Sequence, residues 1–401
     1  MISFSDAQEQ VLARVNPVTN LEAVTPLNGL GRVLSSPVSA PVNVPNHDNA
    51  AMDGYALNIN DLHADQATTL RVIADLPAGD RISTPIQTGQ AVRIMTGAPI
   101  PPGCDCVVMQ EMVERNKALI SVPCGQKKGQ HIRLAGEDIQ AGSDVLPKGR
   151  RLGPADLGLL TSVGVSEITV FRRPVVALLS SGNEVIEGGA ELKPGQVYDS
   201  NRTTLYNALT ALGVEVLDLG VVRDNLHEIE ETLHRAGQEA DAIISTGGVS
   251  VGDYDLIKEV LKKHGNIHFW KVAMKPGKPQ AYGQLNNALF FGLPGNPVSC
   301  LTVFLTIVRP ALLQLMGANP EPPKTLTVPF RGTLVKKHDR MDFVRGILHF
   351  DTEGAWVETT GAQGSGILTS LSKANAFIIL PEAPVTLSDG DLVTVQQIQY
   401  S

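Results

Sequence analysis

Val175-Val176-Ala177-Leu178-Leu179-Ser180-Ser181-Gly182 is the stretch that decides the fold. A continuous apolar run ending in small polar residues reads as a parallel strand, buried on both faces, that enters a loop at its carboxyl end. It starts just after Arg172-Arg173-Pro174, where the character of the chain changes. The same unit recurs downstream. Asp199 or Ser200 can cap a helix bearing Leu205, Leu209 and Leu212 that stops at Gly213. Val214 to Val222 is the next strand, Asp224-Asn225 opens a helix with Ile229 and Leu233, and Ala242-Ile243-Ile244-Ser245 is a third strand ending in glycines. Strands alternating with helices predict a doubly wound parallel α/β sheet over about residues 174–318.

The flanks read differently. Residues 5–15 predict a short amphipathic helix with Ala7, Val11, Leu12 and Val15 on one face. Pro37 to Pro45 is extended, because proline excludes regular helix. Residues 46–141, rich in Gly, Pro and short apolar runs such as Ala91–Met95 and Cys106–Met109, predict a β-domain. The helical period returns from Pro154 to Val163. Segments 1–45 and 142–173 flank that β-domain and are read as one discontinuous linker domain. Pro320-Glu321-Pro322-Pro323 is a linker, and residues 319–401 alternate in strand fashion, predicting a small C-terminal β-barrel or sandwich. The expectation is thus a multidomain α/β plus β protein with flanking β-domains.

The chain has 401 residues, 43% of them hydrophobic and 18% charged, which suits several globular domains with their own cores. The formal net charge of -8 argues against a nucleic-acid partner, since phosphate backbones need a basic face. A local cluster of lysines can still hold a small anion. Met1 to Asp6 lacks the basic and apolar regions of a signal peptide. The longest apolar stretch, Val298 to Val308, is too short to span a bilayer and is read as ending at Arg309-Pro310, so no membrane association is expected. Cys104, Cys106, Cys124 and Cys300 show no paired zinc spacing and point to the cytoplasm.

Several motifs carry chemistry. Ser245-Thr246-Gly247-Gly248-Val249-Ser250-Val251-Gly252-Asp253 lies between a strand and a helix. Its glycines allow backbone N–H groups to face an anion, although a tight turn without a ligand explains it equally well. Lys271 and Lys275-Pro276-Gly277-Lys278-Pro279 place three lysines on a stiffened loop among apolar residues. Partial burial of that loop is expected, and it favours phosphate or oxyanion binding over a solvated surface. Gly292-Leu293-Pro294-Gly295-Asn296-Pro297-Val298-Ser299 is a rigid turn with Pro297 suited to a first helical turn, either an oxyanion site with Ser299 or an ordinary loop before a buried helix. Glu184, Asp224 and Asp255 follow the first, second and third strands, where adjacent parallel strands open a crevice. Singly each is a cap or a salt-bridge member; together beside the lysines they predict a Mg²⁺ site bridging to phosphate. Asp48–Ala56 and Arg93–Pro99 in the first β-domain read as turns from physics alone.

These motifs, taken in order, resemble the molybdopterin molybdenumtransferase family, both its bacterial MoeA type and the E domain of plant and animal relatives. The matching runs are Asp48–Ala56, Arg93–Pro99, Gly136–Ile139, Tyr198–Arg202, Thr246–Gly252, Lys275–Pro279, Gly292–Ser299 and Gln363–Ser365. Ala51 and Leu256 depart from the family's usual Ser and Tyr, and neither removes a charged group. The resemblance implies transfer of molybdate to adenylyl-molybdopterin, giving molybdenum cofactor and AMP with Mg²⁺. It implies an elongated homodimer whose site lies between the α/β domain of one subunit and the first β-domain of the other. The family's functional positions fall on Asp53, Thr96, Asp138, Glu184, Asp224, Asp255, Lys271 and Lys275. Ligand contacts fall on Gly247, Gly248, Ser250, Lys278, Pro294, Pro297, Ser299, Arg345 and Ser365. Molybdopterin adenylyltransferase and other cofactor-synthesis proteins are the implied partners. Two other readings are a non-catalytic molybdopterin-binding scaffold, which the carboxylate set disfavours, and an adenylyltransferase, which would lack the two flanking β-domains.

Overall fold

The computed structural model describes residues 1–247, 256–352 and 354–400. At its centre is the α/β domain, whose elements are numbered here in chain order. Its strands are β1 (Val175–Ser181), β2 (Glu215–Val222), β3 (Ala242–Thr246), β4 (Gly265–Lys271), β5 (Pro279–Leu285) and β6 (Ala288–Leu293). Its helices are α1 (Ser200–Leu212), α2 (Leu226–Glu239), α3 (Leu256–His264) and α4 (Pro297–Leu315). The sheet runs β2-β1-β3-β6-β5-β4. The pairs β1–β2, β1–β3 and β3–β6 are parallel.

Alternation along β1 explains the two layers. Val176 and Leu178 pack under α1 and α4 with Leu205, Leu209, Phe304 and Val308, while Ala177 and Leu179 pack under α2 and α3 with Ile229, Leu233 and Val260. The caps are those the sequence offers: Asp199 accepts from Arg202 N at 3.0 Å, Asn225 accepts from His227 N, and Gly213 ends α1 with φ +93°.

The sheet is not wholly parallel. β5 and β6 form an antiparallel hairpin across Asn286-Asn287, and β4 pairs antiparallel with β5 at the edge. Asn286 takes φ +52°, which asparagine tolerates in a two-residue hairpin turn.

The apolar stretch from Val298 does not stop at Arg309-Pro310 either. The helix continues to Leu315 through a π-helical segment at Phe304–Val308. By length and composition α4 is sufficient to cross a membrane, yet 78% of its most apolar window is buried inside the protein, the position of a core helix. Pro310 has no N–H to offer the Thr306 carbonyl one turn earlier. Gln8 Nε2 donates to that carbonyl at 2.8 Å.

Gln8 lies on the N-terminal helix Phe4–Leu12, capped by Ser3. Ala7, Val11, Val15 and Val18 belong to the same core as α1 and α4, so this segment packs on the α/β domain, with Phe171 against the same core. The reason is its apolar face, which fits beside the long buried helix. Farther on, Leu21–Val24 pairs with Ile168–Phe171, and Val38–Ser39 pairs with Asp144–Leu146, which brings the two flanking segments together.

The first β-domain is built on a six-stranded sheet in which Gly54–Leu57 lies between Gln90–Ile94 and the edge strand Cys106–Met109. In the C-terminal domain, Thr325–Pro329, Leu392–Gln397, Ala376–Leu380, Met341–Asp351 and Gly354–Thr359 hydrogen-bond in that order. A bridge between Phe330 and Val357 joins the ends and closes a small barrel.

Gln8→Ala leaves the Thr306 carbonyl without this donor in a part-buried place, and an unmade hydrogen bond there costs about 1–3 kcal/mol. Urea unfolding followed by circular dichroism is expected to show a lower midpoint at unchanged slope; an unchanged midpoint contradicts this account of the proline bend.

Candidate active site

A cleft of about 820 Å³ opens at the carboxyl ends of the parallel strands. Ser181, Gly182 and Glu184 line it after β1, Asp224 after β2, Thr246 and Gly247 at the end of β3, and Pro294 to Pro297 after β6. This is the crevice that doubly wound sheets offer a ligand. Tyr198, Asp199, Ser200 and Asn201 form a further wall at the start of α1.

The turns are held by specific bonds. Asn183 N donates to Asp224 Oδ2 and Asp224 N donates to Asn183 Oδ1, both at 3.2 Å, so the loops after β1 and β2 are locked together. Gly182 has φ +137°, and a Cβ there would lie 2.6 Å from a Glu184 carboxylate oxygen, so the glycine gives that carboxylate its place. Glu184 and Asp224 are both exposed. Glu184 makes no side-chain hydrogen bond or ion pair among the described residues. Gly247 takes φ +82° with Ser181 O close by, as a left-handed turn at the end of β3 requires. Gly248, Ser250 and Asp255 lie outside the described residues.

Asn201 Nδ2 donates to Gly295 O at 2.8 Å and fixes the turn leading into α4. Pro297 occupies the first turn of that helix, Asn296 is its cap residue, and Ser299 is buried within it. Ser365 O accepts from Val298 N at 3.1 Å, so a loop of the C-terminal barrel caps the helix. Arg345 sits beneath that loop at 1% exposure; its Nη2 donates to Gly364 O and its Nε to Ser370 Oγ, both at 3.1 Å. Burial holds its guanidinium below the usual arginine value. Arg345 therefore touches the 364–365 loop, and neither it nor Ser365 lines the cleft.

The lysines correct one expectation. Val272, Met274, Pro276 and Gly277 are buried, but Lys271 and Lys278 are exposed and Lys275 is half-exposed. The loop backbone is buried while the ammonium groups reach solvent, as long lysine stems allow. Pro279, next to Lys278, is the point where this loop meets the cleft.

Asp53 and Thr96 meet on the first β-domain, Asp138 belongs to the same region of the chain, and none of the three lines the cleft. Gly54 lets its strand approach Val108 O, where a Cβ would lie 2.1 Å away, and this close pairing sets the neighbouring Asp53 at the strand's start. Asp53 Oδ1 accepts from Thr96 N at 2.8 Å and from Thr96 Oγ1 at 2.7 Å. Those two bonds, with Arg93 nearby, hold the carboxyl below its ordinary value. Asp138 is exposed, and its N donates to Val44 O at 3.0 Å. Asn201, Asn183 and Arg202 were not singled out as site residues from the sequence. Arg202, which ties Asp199, Asp218 and Glu187 together, carried only the signal of the Tyr198–Arg202 run.

Three family models cover most of the chain. Residues 2–164 match the MoeA N-terminal region (domain I and II), residues 177–314 a probable molybdopterin binding domain, and residues 327–398 the MoeA C-terminal region (domain IV). The chain is 40% identical over 404 residues to a molybdopterin molybdenumtransferase of Haemophilus influenzae, covering 100% of this chain and 99% of that one. The chain belongs to the molybdopterin molybdenumtransferase family. A second relative of the same name, from Nostoc sp., is 36% identical over 377 residues, 92% of this chain and 86% of its own. The crystal structure of a molybdopterin biosynthesis MoeA protein from Pyrococcus horikoshii OT3 superposes with a TM-score of 0.87 at 30% identity, covering 99% of this chain and 100% of that one. A molybdenumtransferase fold therefore surrounds the cleft, with the α/β domain between a β-rich N-terminal region and the C-terminal barrel.

Because its folded value is lowered, the Asp53 carboxyl stabilises the fold at neutral pH, and that contribution is lost as pH falls from the ordinary carboxylate range through the folded value. Thr96→Val removes the hydroxyl donor and keeps the N–H. A carboxyl-carbon NMR titration is expected to show the Asp53 pKa rising in this variant; an unmoved titration curve means that the hydroxyl bond is not what lowers it.

Proposed function

We propose that this protein is a molybdenum insertase that transfers molybdate to adenylyl-molybdopterin and releases molybdenum cofactor and AMP. The observation that carries the reading is the cleft at the carboxyl ends of β1, β2, β3 and β6, walled by Glu184 and Asp224, in a chain that matches the family along its whole length. The likeness along both flanking regions favours this reading over an adenylyltransferase, and the carboxylates favour it over a scaffold.

Binding and positioning do most of the work in this mechanism. Lys271, Lys275 and Lys278 offer charge to the pterin phosphate and the adenylate, and the turn Pro294–Pro297, followed by Ser299, offers an oxyanion place. Arg345 and Ser365 shape that place from the barrel side through the 364–365 loop. The dithiolene sulfurs of the substrate take up the metal, so no protein nucleophile is needed. The cysteines agree with this: burial, ahead of the Asp105 charge, pushes the Cys104 thiol to about 12 and the Cys106 thiol to about 11.

Mg²⁺ fits the donor set. Hard cations of this size take one or two carboxylates and complete their shell with water and substrate phosphates. Glu184 and Asp224 supply two such carboxylates to the lining of the cleft, while no group of three gathers among the described residues. When bound, the ion offsets charge on the phosphoanhydride.

The active unit of this proposal is a homodimer. Asp53, Thr96 and Asp138 stand on the first β-domain apart from the cleft, and a twofold partner is what would bring them to it. The free cysteines suit the reducing cytoplasm, and molybdopterin adenylyltransferase is the supplier of the substrate.

Purified protein incubated with adenylyl-molybdopterin, Mg²⁺ and molybdate is expected to release AMP only when molybdate is present. Release that ignores molybdate, or none at all, refutes the activity. Asp224→Asn is expected to lower this turnover on the order of 10- to 100-fold with an unchanged circular dichroism spectrum. The dimer has its own test. Asp53→Ala and Glu184→Ala, each inactive, are mixed as subunits, and with random exchange roughly a quarter of all sites should regain activity. Verified exchange without recovery places both groups in one chain.

A further inference from the structure

The lysine loop is also the seam between the α/β domain and the C-terminal barrel. Met274 and Lys275 pair in parallel with Met341 and Asp342, and Met341 N donates to Ala273 O at 2.9 Å. That register sets Lys275 beside Asp342, and Lys275 Nζ lies 3.4 Å from Asp342 Oδ2. Asp342 is only 5% exposed. A carboxylate removed from water to that degree needs a compensating cation or protonates.

The charged groups facing it are few. His338 Nε2 is 3.3 Å from the same Oδ2. Burial, opposed by the Asp342 charge and joined by the Lys275, Lys336 and Arg340 charges, holds His338 below its ordinary value, and its Nε2 makes no hydrogen bond. Lys336 Nζ donates to the carbonyls of His338 and Ala383, each at 2.6 Å. Arg340 Nη1 lies 3.4 Å from Met274 O. The Lys275 ammonium is thus the cation in hydrogen-bonding reach of the buried carboxylate. Lys271 and Lys278, on the same loop, make no side-chain hydrogen bond or ion pair among the described residues.

We infer that Asp342, on the C-terminal barrel, is a positioning residue for Lys275, restraining its ammonium so that it meets the anionic group of the ligand already placed. The inference rests on the reading that the lysine loop takes the ligand's phosphate. A long lysine loses rotamer freedom when it grips a ligand, and restraining it beforehand removes part of that cost. The barrel then contributes to the site through one side chain that never touches the ligand.

Full-length protein with ¹⁵N-labelled lysine tests this in two ways. The Lys275 ammonium signal, assigned by its loss in Lys275→Arg, is expected to be more ordered than those of Lys271 and Lys278 in the parent protein. It should fall to their level in Asp342→Asn and recover in Asp342→Glu. If Lys275 is as mobile as the other two in the parent protein, the inference is overturned whether or not any variant folds. Calorimetry with adenylyl-molybdopterin gives the second readout. Asp342→Asn should weaken binding about two- to fivefold, the range of a partly exposed ion pair. It should weaken it no further once Lys275→Ala is present. Equal losses in both backgrounds mean that Asp342 acts on something other than Lys275, which also overturns the inference. If Lys275→Ala alone leaves affinity unchanged, the ligand reading of the loop fails, while the ammonium signal still decides the pairing.

Discussion

Burial of β1, β3 and β6 on both faces is the constraint from which the rest follows. Val176, Leu178, Ile244 and Phe291 face one helical layer, and Ala177, Leu179, Ile243 and Phe290 face the other. Strands covered on both sides leave polar function only their ends. The described polar groups of the cleft accordingly come from strand ends, from the turns after them or from the start of a helix, and those turns are fixed by bonds such as the reciprocal Asn183–Asp224 pair. The site is therefore rigid where it is built on strand ends and depends on outside support where it is built on the lysine loop.

That support comes from the C-terminal barrel at two places. The Met274–Lys275 seam joins the barrel's longest strand, and the 364–365 loop, held from below by Arg345, caps α4. Both contacts run through the backbone, so the barrel fixes where the chain lies. Asp342 and Arg340 add side-chain contacts to the lysine loop.

The sequence made the α/β core legible because its apolar runs are uninterrupted and its caps are local: Asp199, Asn225 and Gly213 act within a few residues of themselves. Glu184 and Asp224 were legible for the same reason, since a carboxylate directly after a parallel strand has few other places to go. What the sequence hid depends on distant partners. The β5–β6 hairpin rests on Asn286 accepting a left-handed turn between two strands. The passage of α4 through Pro310 depends on Gln8, some 300 residues away. Lysine burial was overestimated because apolar neighbours show that a backbone is covered and say nothing of where a long side chain ends. Asp342 carries no local motif; its meaning comes from a register with Lys275 across 67 residues.

The N-terminal segment has a consequence for the order of assembly. Ile2 bridges Val272, Phe4 stacks edge-on against Phe343 at 5.0 Å between ring centres, and Tyr282 Oη donates to Val11 O at 3.1 Å. This segment thus finds its partners some 270 to 340 positions farther along the chain. The apolar face of helix Phe4–Leu12 is covered only by contacts of high sequence separation, so closing this part of the central core requires distant stretches of the chain to meet.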